Sequence, residues 1–396
     1  MTVAERLAGW ATGYRPDDAD LALARRSLVD TVAVTVAAHD HPIVKPAQVL
    51  DRAGRWAAIG HVLDFDDLHV ESTTHISVVC VPTALATGGG ARGYLVGAGV
   101  LARLGDALGW EHYSAGWHAT CTAGAIGAAA GAAAAMELDA ERIATAMALA
   151  VPGAGGVQRA FGTDGKSLQV GCAVDTGIRA ARLAAAGASA DPAALDQWLG
   201  LVGGRADRLL LDGPAVPGGL AVKLYPCCYA LQRPISALGE LRDNGLEPGS
   251  VTRIEIETLA GTIAPLLHHR PRTGLQGKFS LEYAVATALL DSYQGFDAFS
   301  DDGVGRTAAT RLVELVDVHA EPGGTGLLDG EFRARVHTDD GDVRQVSMTY
   351  PPGSPNQPAD ADLLQAKLRD CTRGLPTDPT EWTWQNAGSV LEGVIG

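Results

Sequence analysis

Before about residue 250 the chain carries apolar side chains at helical spacing and shows no convincing strand-like alternation. This pattern restricts the first part of the chain to a mainly helical fold. Asp17, Asp18 and Asp20 stand at the start of the first periodic stretch as possible caps, and Gly187 suits a helix end. The predicted helices cover residues 21–38, 122–136, 139–151 and 167–186.

From about residue 223 the pattern is mixed. Residues 252–258 alternate as a half-buried strand does, and residues 316–320 resemble a second strand. Residues 332–336 and 343–350 resemble a hairpin around residues 339–342. Helical spacing returns at residues 234–245, 279–293 and 359–373, with a Pro-rich linker at residues 351–358.

The order of these elements predicts a mainly α fold with an inserted α+β domain. A chain of 396 residues is long enough for two domains. The helical domain is predicted to comprise residues 1–222 and 355–396, and the α+β domain residues 223–354.

The charge balance excludes some classes of partner. The net charge is −15 and the sequence pI is about 5.1, which argues against binding to nucleic acid or to an anionic membrane. An anionic ligand would have to be held by a local cluster of Lys, Arg or His side chains. A small molecule is therefore the expected partner.

Cysteine usage and the N-terminal segment predict a cytoplasmic protein. The six cysteines show no paired metal spacing, and the adjacent Cys227 and Cys228 are poorly placed for a disulfide. Residues 1–14 include Glu5 and Arg6 and lack a long apolar run, which predicts no signal peptide. Residues 119–136 are mostly Ala and Gly, and this composition favours a tightly packed buried helix over a membrane span.

The densest group of ionisable residues lies in a short apolar stretch. Asp64, Asp66, Asp67 and His69 are followed by His75, while Phe65 and Leu68 leave little room for a simple polar face. Burying such charges is costly unless they pair, bind a ligand or take part in chemistry. The alternative is a solvated helix end.

Two further segments carry candidate residues next to predicted helix starts. His118 precedes the Ala-rich helix, where it can act on a bound anion, or it can be a buried histidine satisfied by a backbone carbonyl. Lys166 follows a tight loop that is not a P-loop, because Gly162 and Gly165 are only three positions apart. Lys166 is either a single anion-binding ammonium or a surface lysine.

The last two segments lie beyond the change in pattern. Lys223 precedes a Tyr-Pro turn and is either a lysine that closes onto a substrate carboxylate or an exposed lysine at a domain edge. Cys227 and Cys228 lack the spaced thiolates of an iron–sulfur cluster and are predicted to pack. Residues 273–283, ending at Tyr283, resemble either part of a site or an ordinary helix start.

Taken in order, these segments resemble the MmgE/PrpD family, which includes 2-methylcitrate dehydratase, cis-aconitate decarboxylase and iminodisuccinate epimerase. The motifs that support this resemblance most strongly are DFDDLH with the later His75, GWHATCTAGAIGAAA, GTDGKSLQVG, KLYPCC and TGLQGKFSLEY. The resemblance extends to about residue 373. It implies a large helical domain, a smaller α+β lid domain and assembly as a homodimer.

The resemblance also implies a set of site residues. By motif, the family's aspartate falls on Asp64, its two histidines on His75 and His118, and its two lysines on Lys166 and Lys223. Its tyrosine falls on Tyr283. Four family positions are altered here: a threonine is Leu68, a proline is Ile76, and two histidines are Gln169 and Gln232. These changes favour a substrate other than the well-known polycarboxylates, such as an intermediate of specialised metabolism.

The reactions of the family share proton transfer next to a carboxylate. His75 and His118 are predicted to be the acid/base pair, and Lys166 and Lys223 to hold the substrate carboxylate. Asp64 is predicted to orient a histidine or keep it cationic. This chemistry implies a dehydratase or decarboxylase with no metal or organic cofactor. The alternatives are an isomerase or cyclase that uses the same base, and a member that binds a ligand without turnover.

Overall fold

A computed structural model describes residues 1–396, which divide into two compact units. One unit comprises Met1–Leu220 and Cys371–Gly396, and the other Ala221–Asp370. The first unit is helical. Its helices before the second unit are α1 (Val3–Gly13), α2 (Asp18–Ala37), α3 (Val44–Ala47), α4 (Arg52–His61), α5 (Ser77–Thr87), α6 (Gly90–Ser114), α7 (Ala119–Ala135), α8 (Ala140–Ala150), α9 (Asp164–Ala185) and α10 (Ala194–Leu201).

Helix α7 lies at the centre of this unit and packs against α6 and α9. Its Ala and Gly side chains are buried along nearly its whole length. A Cβ atom built at Gly177 of α9 would lie 2.5 Å from the Ala125 carbonyl oxygen and 2.5 Å from the Ala128 side chain. The helices therefore approach more closely than any larger residue would allow, as the weakly hydrophobic composition of residues 119–136 predicts.

The contact between α4 and α9 fixes the helix ends that carry candidate residues. Asp175 of α9 accepts hydrogen bonds from the backbone N–H groups of Asp51 and Gly54, at 2.9 and 3.0 Å. These two bonds satisfy N–H groups that the start of α4 leaves without partners. They set the register between α4, which ends at His61, and α9, whose first turn contains Lys166.

The second unit is an α+β fold built on a four-stranded sheet. The strand order is β2-β1-β3-β4, with β1 and β2 parallel and the other two pairs antiparallel. Helix α11 packs against β4, and α13 packs against α11. The elements are α11 (Gln232–Asp243), β1 (Val251–Leu259), α12 (Gly274–Gly277), α13 (Leu281–Leu290), α14 (Asp301–Val304), α15 (Thr307–Val313), β2 (Val316–Glu321), β3 (Phe332–Thr338), β4 (Val343–Met348) and α16 (Ala361–Cys371).

The end of the second unit lies later in the chain than the sequence predicts. The sequence pattern predicts that the helical domain resumes at residue 355, whereas the compact α+β unit continues to Asp370. The Asp370 carboxylate accepts a hydrogen bond from the Phe296 N–H at 3.0 Å, which ties α16 to this unit. Residues 351–358, predicted as a linker, form a packed turn in which Gly353 accepts a hydrogen bond from the Val222 N–H. The last helix, α17 (Ala387–Ile395), belongs to the first unit.

No helix in the structure combines the length and the apolar character that a bilayer crossing requires.

Candidate active site

Four parts of the helical unit contribute to one group of buried ionisable side chains. His61 is the last residue of α4, and the loop after it carries Asp64 and Asp66. His75 lies just before α5, and its backbone N–H donates a 3.0 Å hydrogen bond to the Thr120 hydroxyl. The remaining two members come from helix starts: His118 is the N-cap of α7, and Lys166 lies in the first turn of α9.

Asp66 is the carboxylate between the histidines. Its Oδ2 atom lies 2.8 Å from Nδ1 of His61 and 3.0 Å from Nδ1 of His75. Burial acts to raise the pKa of Asp66, but the adjacent His61 and His75 outweigh burial and hold that pKa well below its ordinary value. Asp66 is therefore ionised at neutral pH, and it can stabilise an imidazolium next to it.

His61 is a site residue that the sequence reasoning missed. Its side chain is fully buried, with its ring centroid 4.7 Å from that of His75 and 5.6 Å from that of His118. Its Nε2 atom is buried and has no hydrogen-bond partner. The only available signal was its position three residues before the DFDDLH motif begins at Asp64.

His118 occupies a different environment from His75. It is buried, and its Nδ1 atom lies 2.6 Å from the Gln169 amide nitrogen and 3.2 Å from the Cys121 sulfur. Burial, followed by the positive charges of His61 and Lys166, holds the pKa of His118 well below its ordinary value. His118 is therefore neutral at physiological pH.

The structure pairs Asp64 with Lys166. Both side chains are buried, and the Lys166 ammonium donates to Oδ1 of Asp64 and lies 5.4 Å from the centroid of the Phe161 ring. Asp64 adopts a left-handed backbone conformation with φ of 55°. This conformation is uncommon outside glycine, and such residues cluster at functional sites. The sequence assigned Asp64 to orient a histidine, but the carboxylate between His61 and His75 belongs to Asp66.

Asp67 and His69, from the same motif, hold backbone segments. Asp67 accepts hydrogen bonds from the Ser77 N–H at 3.1 Å and from the Ser77 hydroxyl, at the start of α5. His69 lies 2.7 Å from the Ser72 hydroxyl and 2.6 Å from the Pro217 carbonyl oxygen. These contacts satisfy buried polar groups of the chain itself.

The other predicted site residues are also buried. Leu68, in the helical unit, is buried. In the second unit Lys223 is buried, Tyr283 is buried and donates a hydrogen bond to the Ala298 carbonyl oxygen, and Gln232 braces the Tyr-Pro turn. Gln232 does so by accepting from the N–H groups of Leu224 and Tyr225 at 2.9 and 3.1 Å.

The cluster also contains donor atoms suited to a metal ion. His61, Asp66 and His75 each offer one ligand atom, and these atoms lie within 4.8 Å of one another. Two imidazoles and a carboxylate are a common ligand set for zinc and for non-heme iron. The sequence prediction assigns these residues to an anion pocket without a metal, and it does not include His61. Binding an ion would require the 2.8 and 3.0 Å contacts of Asp66 to open, since ligand atoms on one ion sit roughly 3.3 Å apart.

The fold and the site together define a two-unit, mainly helical protein with a buried cluster of histidine, aspartate and lysine. Residues 48–204 match the MmgE/PrpD N-terminal domain, and residues 225–391 match the MmgE/PrpD C-terminal domain. The chain therefore belongs to the MmgE/PrpD family, which includes dehydratases and related enzymes, as the sequence motifs predicted. A search of curated proteins finds no match to this chain.

Proposed function

We propose that this protein is a cofactor-independent lyase that moves a proton next to a substrate carboxylate, and so acts as a dehydratase or decarboxylase of a carboxylic acid. The observation that carries the proposal is the ionised Asp66 within 3.0 Å of Nδ1 of both His61 and His75. A carboxylate at Nδ1 orients an imidazole and stabilises its charged form, which is the arrangement of a general base.

His75 is the proton acceptor of this proposal. Its side chain is 12% exposed, whereas that of His61 is fully buried. Of the two rings, His75 is therefore the one that a substrate can reach. In a dehydration the C–H bond breaks and its proton goes to Nε2 of His75. The electron pair forms the C=C bond, and the hydroxyl leaves as water after taking a proton back from the imidazolium.

The positive charge that holds the substrate carboxylate is assigned to Lys166 and Lys223. Lys166 lies in the helical unit, where Asp64 fixes its ammonium against the face of Phe161. For Lys223 the same role, binding of the substrate carboxylate, is proposed from its motif alone. Cations of this kind stabilise the enolate-like species formed when a proton leaves the adjacent carbon. They also offset the net charge of −15, which repels an anionic substrate.

Product mass decides between this function and its alternatives. Loss of water or of carbon dioxide from a substrate identifies a lyase. An unchanged mass with altered chromatographic behaviour identifies an isomerase, epimerase or cyclase acting on a natural-product intermediate through the same base. Binding without any product identifies a non-catalytic member. A mass-spectrometric screen of tricarboxylates and β-hydroxy acids with the full chain distinguishes the three, and light scattering tests the expected homodimer.

Removing His118 or Lys223 tests the assignment once a substrate is found. We expect His118→Ala and Lys223→Ala each to abolish turnover while the circular-dichroism spectrum and the unfolding midpoint remain close to those of the unmodified protein. His319→Asn and Lys45→Ala are the matched controls, because both side chains are exposed. Full activity in either site variant would contradict the assignment.

A further inference from the structure

The side-chain amide of Gln169 has only one orientation that fits its neighbours. Its Oε1 atom accepts a hydrogen bond from the Val157 N–H at 3.1 Å, and a backbone N–H can only donate. Its Nε2 atom lies 3.4 Å from the Val157 carbonyl oxygen, which can only accept. Both contacts assign the same atoms, so the amide nitrogen faces His118.

This orientation determines which nitrogen of His118 carries the proton. The Gln169 Nε2–H donates to Nδ1 of His118 across 2.6 Å, so Nδ1 is an acceptor. Burial raises the pKa of the Cys121 thiol, so the sulfur 3.2 Å from Nδ1 is a thiol and not a thiolate that would require a proton on Nδ1. A ring nitrogen that accepts a hydrogen bond carries no proton, so the ring proton of His118 lies on Nε2.

His75 has the opposite arrangement. Its Nδ1 atom lies 3.0 Å from Oδ2 of the ionised Asp66, and a carboxylate can only accept. In the form of His75 that can accept a proton from carbon, the Nδ1 proton faces this carboxylate and the lone pair lies on Nε2. Two histidines of one site thus differ in tautomer because one faces an amide donor and the other a carboxylate.

We propose that Gln169 is a positioning residue that holds His118 as a neutral Nε2–H donor to a substrate oxygen, while His75 alone accepts the proton from carbon. This proposal rests on the proposed function and divides its acid/base pair into unequal roles. The C–H bond breaks, its proton goes to Nε2 of His75, and the electron pair moves onto the carboxylate as an enediolate. His118 keeps its proton and stabilises the new charge by a hydrogen bond.

A neutral donor is effective for this task. A neutral imidazole can polarise a substrate oxygen without the risk of transferring its proton, and its acidity is matched to an enolate. The Gln169 donor at Nδ1 holds His118 in this neutral form, and the rings of His61 and Phe161 pack against it at centroid distances of 5.6 and 5.0 Å.

The decisive experiment combines nitrogen NMR of labelled histidines with kinetics on the full chain. In the unmodified protein we expect the His118 signals of a neutral Nε2–H imidazole between about pH 6 and 8. In Gln169→Glu the amide donor becomes an acceptor, so His118 should move to the Nδ1–H tautomer or become an imidazolium. We expect kcat to fall by about 100-fold or more with a smaller change in KM.

Two further variants keep the test independent of misfolding. Gln197→Glu makes the same charge change on an exposed position of α10 and should leave both the spectrum and kcat unchanged. Gln169→Met removes the donor without adding charge, and it should give a smaller loss in kcat with mixed His118 tautomers. An Nδ1–H signal for His118 in the unmodified protein, or an unchanged signal and kcat in Gln169→Glu, would overturn the proposal.

The two proposals fail separately. The NMR measurement needs no substrate, so the tautomer of His118 is decided even if no carboxylic acid is turned over. Absence of any product across the screen would contradict the lyase function, and the wrong tautomer would contradict the role of Gln169.

Discussion

Asp66 and Asp67 are adjacent in the chain and both buried, yet they contact different kinds of partner. Asp66 lies between two imidazole rings, whereas Asp67 accepts hydrogen bonds from the backbone N–H and the hydroxyl of Ser77. Its titratable partners suit Asp66 to the proton transfer proposed above, while Asp67 has fixed donors that hold the start of α5. The function of a buried carboxylate thus follows from its neighbours and cannot be read from its motif alone.

The two carboxylates also differ in the direction of their pKa shifts. His61 and His75 hold the pKa of Asp66 well below its ordinary value against the effect of burial. Burial raises the pKa of Asp67 to about 7, although the Ser77 hydrogen bonds act in the other direction. Asp66 is thus an anion near neutral pH, and Asp67 is partly protonated there.

The largest expected effect separates these neighbours by activity. Asp66→Asn removes the charge that orients His75 and stabilises its imidazolium, so we expect kcat to fall by about 1,000-fold or more. Asp67→Asn keeps a side chain that can accept from the Ser77 N–H, and its kcat should stay within about threefold of the unmodified value. Steady-state turnover of both variants checks this. Equal losses in the two variants would remove the distinction between them.

The next effect concerns the two histidines of the same segment, His61 and His69. His61→Leu removes a donor to Asp66, and we expect kcat to fall by about 10–100-fold. His61→Asn supplies an amide donor near the position of Nδ1 and should recover part of that loss. His69→Leu should leave kcat nearly unchanged and lower the free energy of unfolding by about 1–3 kcal/mol, because the Pro217 carbonyl loses its partner.

Turnover assays and urea unfolding on the same preparations separate these outcomes. A His61→Asn variant no better than His61→Leu would show that the donor to Asp66 is unimportant. A large loss of kcat in His69→Leu would show that His69 also acts in the site.

The last effect concerns stability as a function of pH and leaves activity aside. The pKa of Asp67 is raised in the folded state to about 7, so the folded state retains a proton that the unfolded state loses near pH 4. Its contribution is fully present below about pH 4 and is lost as the pH rises to about 7, by at most about 4 kcal/mol at 1.36 kcal/mol per pKa unit. The pKa of Asp66 is lowered, so its contribution is present above about pH 4 and is lost on further acidification.

Urea unfolding at pH 5 and pH 8 measures the Asp67 contribution. Asp67→Asn should be less sensitive to pH over this range than the unmodified protein. An unchanged difference between the two pH values in Asp67→Asn would assign the pH dependence to other groups.

Much of the fold could be predicted from the sequence because its signals are local. The alternation in residues 252–258 predicts the strand that the structure has as β1. The hairpin pattern of residues 332–336 and 343–350 corresponds to the antiparallel pair β3 and β4. The end of the α+β unit could not be predicted, because it depends on the tertiary contact between Asp370 and Phe296. A Pro-rich stretch reads as a linker until the contacts of Gly353 are seen.

For the candidate site, the motifs point to individual residues but not to the contacts that those residues make. Motifs identified His75, His118 and Lys166, but the partners of these residues are distant in the chain. Asp64 pairs with a lysine 102 positions away, and Gln169 reaches His118 across 51 positions. No spacing rule assigns such contacts. His61 was missed because a single histidine at a helix end has no distinctive pattern.

The measurement that tests the central claim most directly is exchange of deuterium from solvent into a carboxylic acid that the protein turns over. It reports proton transfer at carbon whether the net reaction is dehydration, decarboxylation or isomerisation. The unmodified protein should introduce deuterium at the carbon next to a carboxylate, His319→Asn should do the same, and His75→Ala should introduce none above background. Exchange in His75→Ala at the rate of the unmodified protein would contradict the assignment of His75 as the base.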